Sequence, residues 1–482
     1  MARRMECKDI SPLLGNEHEL KEPRKQNGAG QDVEKFGHAS PAPLSDDYLA
    51  LKLVERFGRE LRYVAVWNRW LRYSTSLCTW QFEETLAVFD MARAICREAY
   101  RNNVSQRGAA LLTSARTVAA VVQLARVDRY VAATSQQWDT DPWLLNTPDG
   151  AIDLRTETLP RPRPHAYCTK STAVAPGDGG CPLWLCFLDR ITAGDVELQA
   201  FLQRMAGYML TGSTEEHALF FMWGTGANGK SVFLATLAGV FGGYATTAPI
   251  ETFTASSHDR HPTDLAMLRG ARLVTATETE EGRRWAEAKI KQMTGGDKIS
   301  ARFMRQDFFE YLPSFKLLIA GNHKPGLRSV DEAIRRRFHL VPFTVTIPPD
   351  ERDPKLADKL RSEWPAILQW VIDGYHDWIE RGLAPPEAVR AATNTYLESE
   401  DATAAWIEDC CERKQTSWEP ASALYASFKG WADKAGEHVP SQKRFGQTLE
   451  ARNVIPERTM GARGYRGLQI IQPYGNKDWE PD

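Results

Sequence analysis

No apolar stretch in this 482-residue chain approaches the roughly 18 residues that a membrane-spanning helix requires, which excludes a helical membrane protein. The opening MARRMECKDI is basic but has no apolar segment behind it, so it is not a secretory signal. Cysteine is sparse, with eight in the chain. The close pairs Cys181/Cys186 and Cys410/Cys411 have no second pair or histidines at zinc spacing, which argues against a zinc module and for reduced, structural thiols. Strong net charge is also missing: the formal value is −2, so any basic surface is local. No repeat of fixed period is present. What is present is length enough for two or three domains and a hydrophobic content of 43%, ample for packed cores.

Residues 1–44 are polar, rich in Gly, Pro and charge, and read as a mobile tail. The aromatic run LRYVAVWNRWLRY that follows predicts strands or a small hairpin. Two helices are expected next, one burying Leu86, Phe89, Ala92, Ile95 and Ala99, the other Val118, Val121, Val122 and Ala125. Further on, Asn-Thr-Pro-Asp-Gly (146–150) is turn chemistry between short strands. Asp139 and Asp141, a compact acidic pair, fit a turn better than a metal site. From about Ala218 the pattern changes: ALFFMW, RLVTATE, KLLIAGN and HLVPF are short apolar runs bounded by turns, as in a parallel α/β sheet. These features divide the chain into an N-terminal region (45–205), an α/β region (206–385) and a last module (400–482).

Gly224-Thr225-Gly226-Ala227-Asn228-Gly229-Lys230-Ser231 fits G-x-x-x-x-G-K-[ST], follows an apolar strand and opens a helical run. Backbone N–H groups in such a loop wrap phosphate oxygens, and the helix N-terminus adds partial positive charge. Lys230 would reach the β- and γ-phosphates of ATP, and Ser231 would ligate Mg2+. The alternative is a glycine-rich turn with a chance lysine, which the correct flanks on both sides disfavour. RLVTATE ends at Glu278, with Glu280 two residues on; carboxylates at that strand edge can hold magnesium and polarise water. A solvated acidic loop is the other reading, and it suits Glu281 best. Asn322, ending the third strand, is placed to sense a γ-phosphate, although an Asn before a turn is often a cap. Arg335-Arg336-Arg337 is either a solvated basic patch or the source of an arginine that reaches a neighbouring subunit's nucleotide.

Taken in order, GTGANGKS, ARLVTATETEEG, IKQMTGGDKISARF, KLLIAGNHKP and DEAIRRRFHLVPF resemble the successive motifs of superfamily 3 helicases, across about 215–347. The type is that of phage and plasmid primase–helicases, related to the poxvirus NTPase. DPWLLNTPDGAIDLRT and CPLWLCFLDRITAGDVELQAFLQRMAGYMLTG resemble the helical collar segment ahead of that motor. The resemblance implies an AAA+-like fold behind a mainly helical collar, a homo-hexameric ring threading single-stranded DNA, and work in a bacterial host's cytoplasm. It gives Lys230 and Ser231 the P-loop roles, Glu278 and Glu280 the acidic strand and Asn322 the sensor. The family's aromatic-Arg-Arg pattern falls on Arg336 and Arg337, with Arg335 where tryptophan is usual. GGDKISARFMRQD fits the family's pore hairpin, with Lys298, Arg302 and Arg305 along phosphates and Phe303 packing or stacking; an ordinary surface hairpin would look similar. A primase domain often precedes this motor. Only the short tail does here, so the expectation is no priming by this chain and a separate primase or initiator as partner.

The last module has an apolar stripe Ala421, Leu424, Tyr425, Phe428 and Trp431, then a helix capped by Ser441, then two strands about a glycine turn. That order resembles a winged-helix domain. Six Lys/Arg against two Glu between 440 and 470, among them Lys443, Arg444, Arg463 and Arg466, favour DNA contact over protein docking. The leading function is an ATP-driven helicase on single-stranded and forked DNA. An origin-binding initiator with ATP as an assembly switch, another P-loop DNA motor and a small-molecule kinase are the alternatives.

Overall fold

The computed structural model describes residues 41–101, 105–156, 164–255, 263–277, 282–304, 307–327, 330–450, 452–459 and 461–471. Most of the expected N-terminal tail, Glu278 and Glu280, Arg305, and the end of the last module lie outside the described residues.

Two compact units emerge. The smaller takes residues up to 56 together with 88–128. It is built of helices α1 (Asp46–Phe57), α2 (Ala87–Tyr100), α3 (Gln106–Leu112) and α4 (Ala115–Ala125). The expected α4 stripe Val118, Val121, Val122 and Ala125 is buried. For α2 the stripe is shifted: Val88, Ala92, Ile95 and Cys96 are buried, whereas Leu86 precedes the helix and is 69% exposed. Counting Cys96 as the apolar residue it is, rather than extending the pattern back to Leu86, gives the correct face.

In the larger unit the chain first forms β1 (Leu61–Val64), β2 (Arg69–Ser74), β3 (Thr79–Phe82) and β4 (Ala132–Ala133), in the order β3-β2-β1-β4. The hairpin β5 (Leu144–Thr147) and β6 (Gly150–Asp153) follows, turning at the anticipated Pro148-Asp149. The N-terminal region thus carries a small sheet among its helices; its alternating aromatic runs pair over Val64, Leu71, Tyr73, Trp80 and Trp138. Asp139 accepts from the Thr169 backbone and hydroxyl, and Asp141 from Trp143 N at 2.9 Å and from Arg155, so both carboxylates serve local structure.

Helices α5 (Pro182–Thr192) and α6 (Val196–Leu210) lead into β7 (Leu219–Trp223), α7 (Lys230–Phe241), β8 (Ala245–Thr247), the short α8 (Thr263–Ala266) and β9 (Leu273–Thr277). After α9 (Glu287–Thr294) comes the hairpin β10 (Ile299–Ala301) and β11 (Phe309–Tyr311), then β12 (Lys316–Gly321), α10 (Glu332–Arg335) and β13 (Phe338–Pro342). Five of these strands make one all-parallel sheet ordered β13-β7-β12-β9-β8. Both faces are covered, which is why its strands read as unbroken apolar runs. Phe220, Met222 and Leu318 point into one core layer with Phe233, Leu237 and Trp184. Leu219, Phe221, Leu317 and Ile319 point into the other with Trp285, Phe338 and Tyr396.

Helices α11 (Leu356–Leu360), α12 (Trp364–Arg381) and α13 (Glu387–Ser399) complete these layers. The boundary expected at 205/206 falls inside α6, and the one at 385 cuts off α13, whose Tyr396 and Leu397 are core residues. Helices α6 and α12 cross at backbone contact. A Cβ on Gly207 would lie 2.0 Å from Tyr375 N, and one on Gly374 would lie 2.1 Å from Gln203 O. Gly207→Ala therefore drives the helices apart, at a cost of about 3 kcal/mol or more. The expected result is a melting temperature lower by roughly 5–10 °C in calorimetry; an unchanged value would mean the crossing is looser than described.

At the opposite sheet edge from the glycine-rich turn, two buried cations tie strand starts to the end of α6. Lys316 donates to Thr211 O and, at 3.3 Å, to Ser213 O. Arg272 donates to Leu210 O and Leu144 O, each at 2.7 Å, and lies over the Tyr244 ring.

The C-terminal module runs α14 (Ala402–Cys410), β14 (Cys411–Pro420), α15 (Ala421–Ala435), α16 (Gln442–Glu450), β15 (Ile455–Thr459) and β16 (Ala462–Ile470). Its antiparallel sheet is ordered β14-β16-β15, over a core of Trp406, Leu424, Phe428, Phe445 and Leu468. Helix, helix and hairpin are where the sequence put them, with Ser441 Oγ accepting from Arg444 N at 3.4 Å. The leading helix and β14 were not anticipated.

Candidate functional site

The glycine-rich turn leaves β7 at its C-terminal end and is shaped by close approach. A Cβ on Gly224 would stand 2.1 Å from Asn228 Nδ2 and 2.2 Å from Phe343 O, so only glycine fits. Gly226, Ala227 and Gly229 follow with φ of 112°, 49° and 85°, left-handed values that curl the backbone tightly. The strained Ala227 is held by its carbonyl, which accepts from Ile347 N at 2.8 Å. Asn228 is buried, its amide donating to Phe343 O at 3.1 Å. Phe343 is thus a brace of the turn, a role no local sequence signal carries.

Helix α7 starts at Lys230 with no side-chain cap on its first N–H groups. The Lys230 ammonium is buried and donates to Gly224 O at 2.7 Å, Asn228 Oδ1 at 3.0 Å and Asn322 Oδ1 at 3.2 Å. Burial, with no carboxylate among these partners, pushes its pKa down to about 8. Thr225 and Ser231 are exposed at the rim. Curled backbone, open helix N-terminus, buried ammonium and exposed hydroxyl are together the groups that hold a polyphosphate and its metal.

Asn322 reaches Lys230 because β12 lies directly beside β7, pairing Gly321 with Trp223. The Asn322 carbonyl accepts from Trp223 Nε1 at 3.1 Å, and Lys324 lies 4.1 Å from the centre of the Trp223 ring. Strand β9 is one place further out and ends at Thr277, the residue before Glu278.

The arginines separate. Arg337 is buried, donating to Thr294 Oγ1 at 3.1 Å and Ala333 O at 2.8 Å. Arg335 lies 3.6 Å from Asp401. Arg336 is exposed. All three precede β13, whose Phe338 pairs with Leu219, so they stand at the sheet edge opposite the glycine-rich turn.

The segment expected to form a hairpin does so, Ile299 pairing with Tyr311 and Ala301 with Phe309. Lys298 is exposed, 3.4 Å from Glu310. Arg302 lies 4.7 Å from the centre of the Phe308 ring, and Phe303 stacks on Phe309 at 5.7 Å. Phe303, Met304 and Phe308 are exposed apolar residues at the tip. In the C-terminal module the basic excess is partly spent internally: Arg466 makes a two-pronged pair with Glu457, Arg463 pairs with Glu450, and Arg452 with Asp401. Lys443, Arg444 and Arg458 are exposed.

A parallel sheet, the glycine-rich turn and the buried lysine define a P-loop-like α/β core. Comparison with known proteins is more specific. Residues 50–193 match the family described as D5 N terminal like, and 222–337 match a family of unknown function, DUF5906. A helicase-named protein, 022R, of Frog virus 3 (isolate Goorha) is 25% identical over 282 residues, covering 54% of this chain and 29% of that protein. Another, L207/L206 of Acanthamoeba polyphaga mimivirus, is 24% identical over 267 residues, 51% of this chain and 28% of that one. The chain thus spans under a third of the length of these relatives. In fold it is similar to the NrS-1 C terminal region, at 9% identity, a TM-score of 0.51 and coverage of 88% of this chain and 99% of that one. The chain is thus similar to proteins of the primase–helicase type, with a D5 N-terminal-like segment ahead of its α/β core. Among the described residues no single helix is long and apolar enough to cross a membrane.

Proposed function

We propose that this chain is an ATP-driven DNA translocase and helicase of a phage, prophage or plasmid replication system, with an AAA+-like superfamily 3 motor and a C-terminal winged helix, working as a homo-hexameric ring. The observation that carries the reading is the meeting of Lys230 with Asn322 at the glycine-rich turn, two groups 92 positions apart in sequence joined by a bond of 3.2 Å. Lys230 exchanges its carbonyl and amide partners for β- and γ-phosphate oxygens, while Asn322, released from it, orients the attacking water. Ser231, with Glu278, would hold the magnesium ion, which neutralises charge on the phosphates when bound. Glu280 is the second choice for polarising the water.

Arg336 cannot serve its own site. The five residues of β7 put about 16 Å of strand between it and the turn. It serves instead the site of the next subunit, which makes hydrolysis depend on assembly. Lys298, Arg302, Phe303 and Arg305 on the hairpin contact the threaded strand, and Lys443, Arg444, Arg463 and Arg466 offer the winged helix a second, weaker contact. The pairing of Arg463 and Arg466 with glutamates puts Lys443 ahead of them.

The test is ATP hydrolysis with and without single-stranded DNA, alongside displacement of a strand from a forked duplex. Hydrolysis stimulated by DNA together with displacement is expected. DNA binding without displacement at any protein concentration would return the initiator reading, and no response to DNA would remove nucleic acid as the substrate.

A further inference from the structure

The hairpin does not stand alone. Its Phe303 stacks on Phe309, with rings 5.7 Å apart and inclined by 26°. Phe309 in turn lies 5.3 Å from the guanidinium of Arg269. The same guanidinium is 5.7 Å from the Trp67 ring, which belongs to the turn between β1 and β2 of the N-terminal sheet. Trp67 meets Phe82 of β3 edge-on at 5.7 Å, and Arg69 of β2 lies 5.4 Å from that phenyl. Aromatic rings and guanidinium groups therefore run in one unbroken series from the hairpin tip to the edge of another sheet.

Several features distinguish this series from ordinary core packing. Its two ends are open: Phe303 is 39% and Phe82 44% exposed. Arg69 is exposed on its strand. Arg269 has lost part of its hydration, and burial lowers its pKa, yet it donates to the Ser135 carbonyl at 3.4 Å rather than to a carboxylate. Three guanidinium groups, those of Arg69, Arg269 and Arg302, thus lie on aromatic faces with no ion pair among the described residues. Asp139, the acid nearest in effect to Arg269, is engaged by Thr169. Interleaved rings and cations of this kind are what a single strand of nucleic acid recognises, bases on the rings and phosphates on the cations, without regard to sequence.

We infer that single-stranded DNA continues from the hairpin onto the N-terminal sheet, with Phe82, Trp67 and Arg69 as a second stacking platform and Arg269 as the cation between the two. The inference rests on the reading of the hairpin as a DNA contact. It adds a subsite within the segment that matches the D5 N terminal like family.

The experiment uses the full chain and oligo(dT) carrying 5-iododeoxyuridine, irradiated and mapped by mass spectrometry, with anisotropy of labelled oligo(dT) for affinity. Crosslinks are expected both in 302–309 and in 61–82. Phe82→Leu with Arg69→Gln should weaken binding about tenfold for loss of one stacked base and its phosphate contact. Phe82→Tyr should restore it, and hydrolysis without DNA should be unchanged in both. Crosslinks confined to 302–309, with normal affinity for the double variant, would overturn the second platform and leave the hairpin reading intact. Absence of crosslinks at either place would remove the hairpin reading and this one with it.

Discussion

Lys230→Ala is expected to reduce ATP hydrolysis at least about a hundredfold and to abolish strand displacement, while the melting temperature stays near that of the parent chain. The reason is geometric. Among the described residues Lys230 is the one cation that reaches the interior of the glycine-rich turn, and its three partners are a carbonyl and two side-chain amides. Removing it leaves these oxygens beside an exposed rim where water replaces the ammonium, so the fold loses little. The same environment predicts a pH signature. With the Lys230 pKa held near 8 by burial, the ammonium is charged below that value and loses its proton above it. Phosphate binding needs the charge, so KM for ATP should rise as pH passes upward through 8, and Lys230→Arg should flatten that rise whatever it does to kcat. A flat profile in the parent chain would mean that the ammonium stays charged throughout, and normal hydrolysis by Lys230→Ala would overturn the nucleotide site itself.

Arg336→Ala and Arg337→Ala, neighbours in sequence, are expected to fail in different ways. Arg336 is exposed at the sheet edge opposite the turn, and its loss should leave the melting temperature unchanged. Doped into rings of the parent chain, Arg336→Ala subunits should lower hydrolysis by more than their share, because each silences its neighbour's site; an arginine supplied in trans is worth roughly 10³-fold or more in kcat. Arg337→Ala instead leaves Thr294 Oγ1 and the Ala333 carbonyl without their buried donor, which costs about 1–3 kcal/mol and should show first in thermal melting. Inhibition by Arg336→Ala in simple proportion to its fraction would remove the role between subunits. Poisoning by Arg337→Ala at an unchanged melting temperature would exchange the two residues.

What could be read ahead of the structure was whatever is local in the chain. The turn 224–231 is contiguous, and its glycines are where positive φ and close approach demand them. The four apolar runs of the parallel sheet are continuous because both faces are covered, a pattern that needs no knowledge of neighbours. What depends on strand order was not legible. Nothing in the spacing of Lys230 and Asn322 states that they touch; that follows from β12 lying between β7 and β9. Polar composition hid β14: CERKQTSWEP is an edge strand with few buried residues, so it lacks the apolar alternation by which strands are recognised. The N-terminal sheet was visible as aromatic runs, but its strand order was not. Phe343, Trp67 and Arg269 owe their positions entirely to tertiary packing.

The two buried cations at the strand starts bear on how the core deforms. Lys316 begins β12 and Arg272 precedes β9, and these are adjacent strands, both bolted to the end of α6. Sliding either strand by one residue would tear a buried donor from its carbonyls, so that margin of the sheet is effectively clamped. At the opposite margin the corresponding tie runs through Lys230, from the Gly224 carbonyl after β7 to Asn322 after β12, and it is the one that a bound phosphate would take over. With that tie released the core has the mechanics of a cantilever: fixed at one rim, compliant at the other. Strain generated at the free rim is delivered as a tilt of whole strands rather than as slippage between them. The hairpin β10–β11, joined to β12 on the clamped side, would be carried by that tilt as a rigid arm.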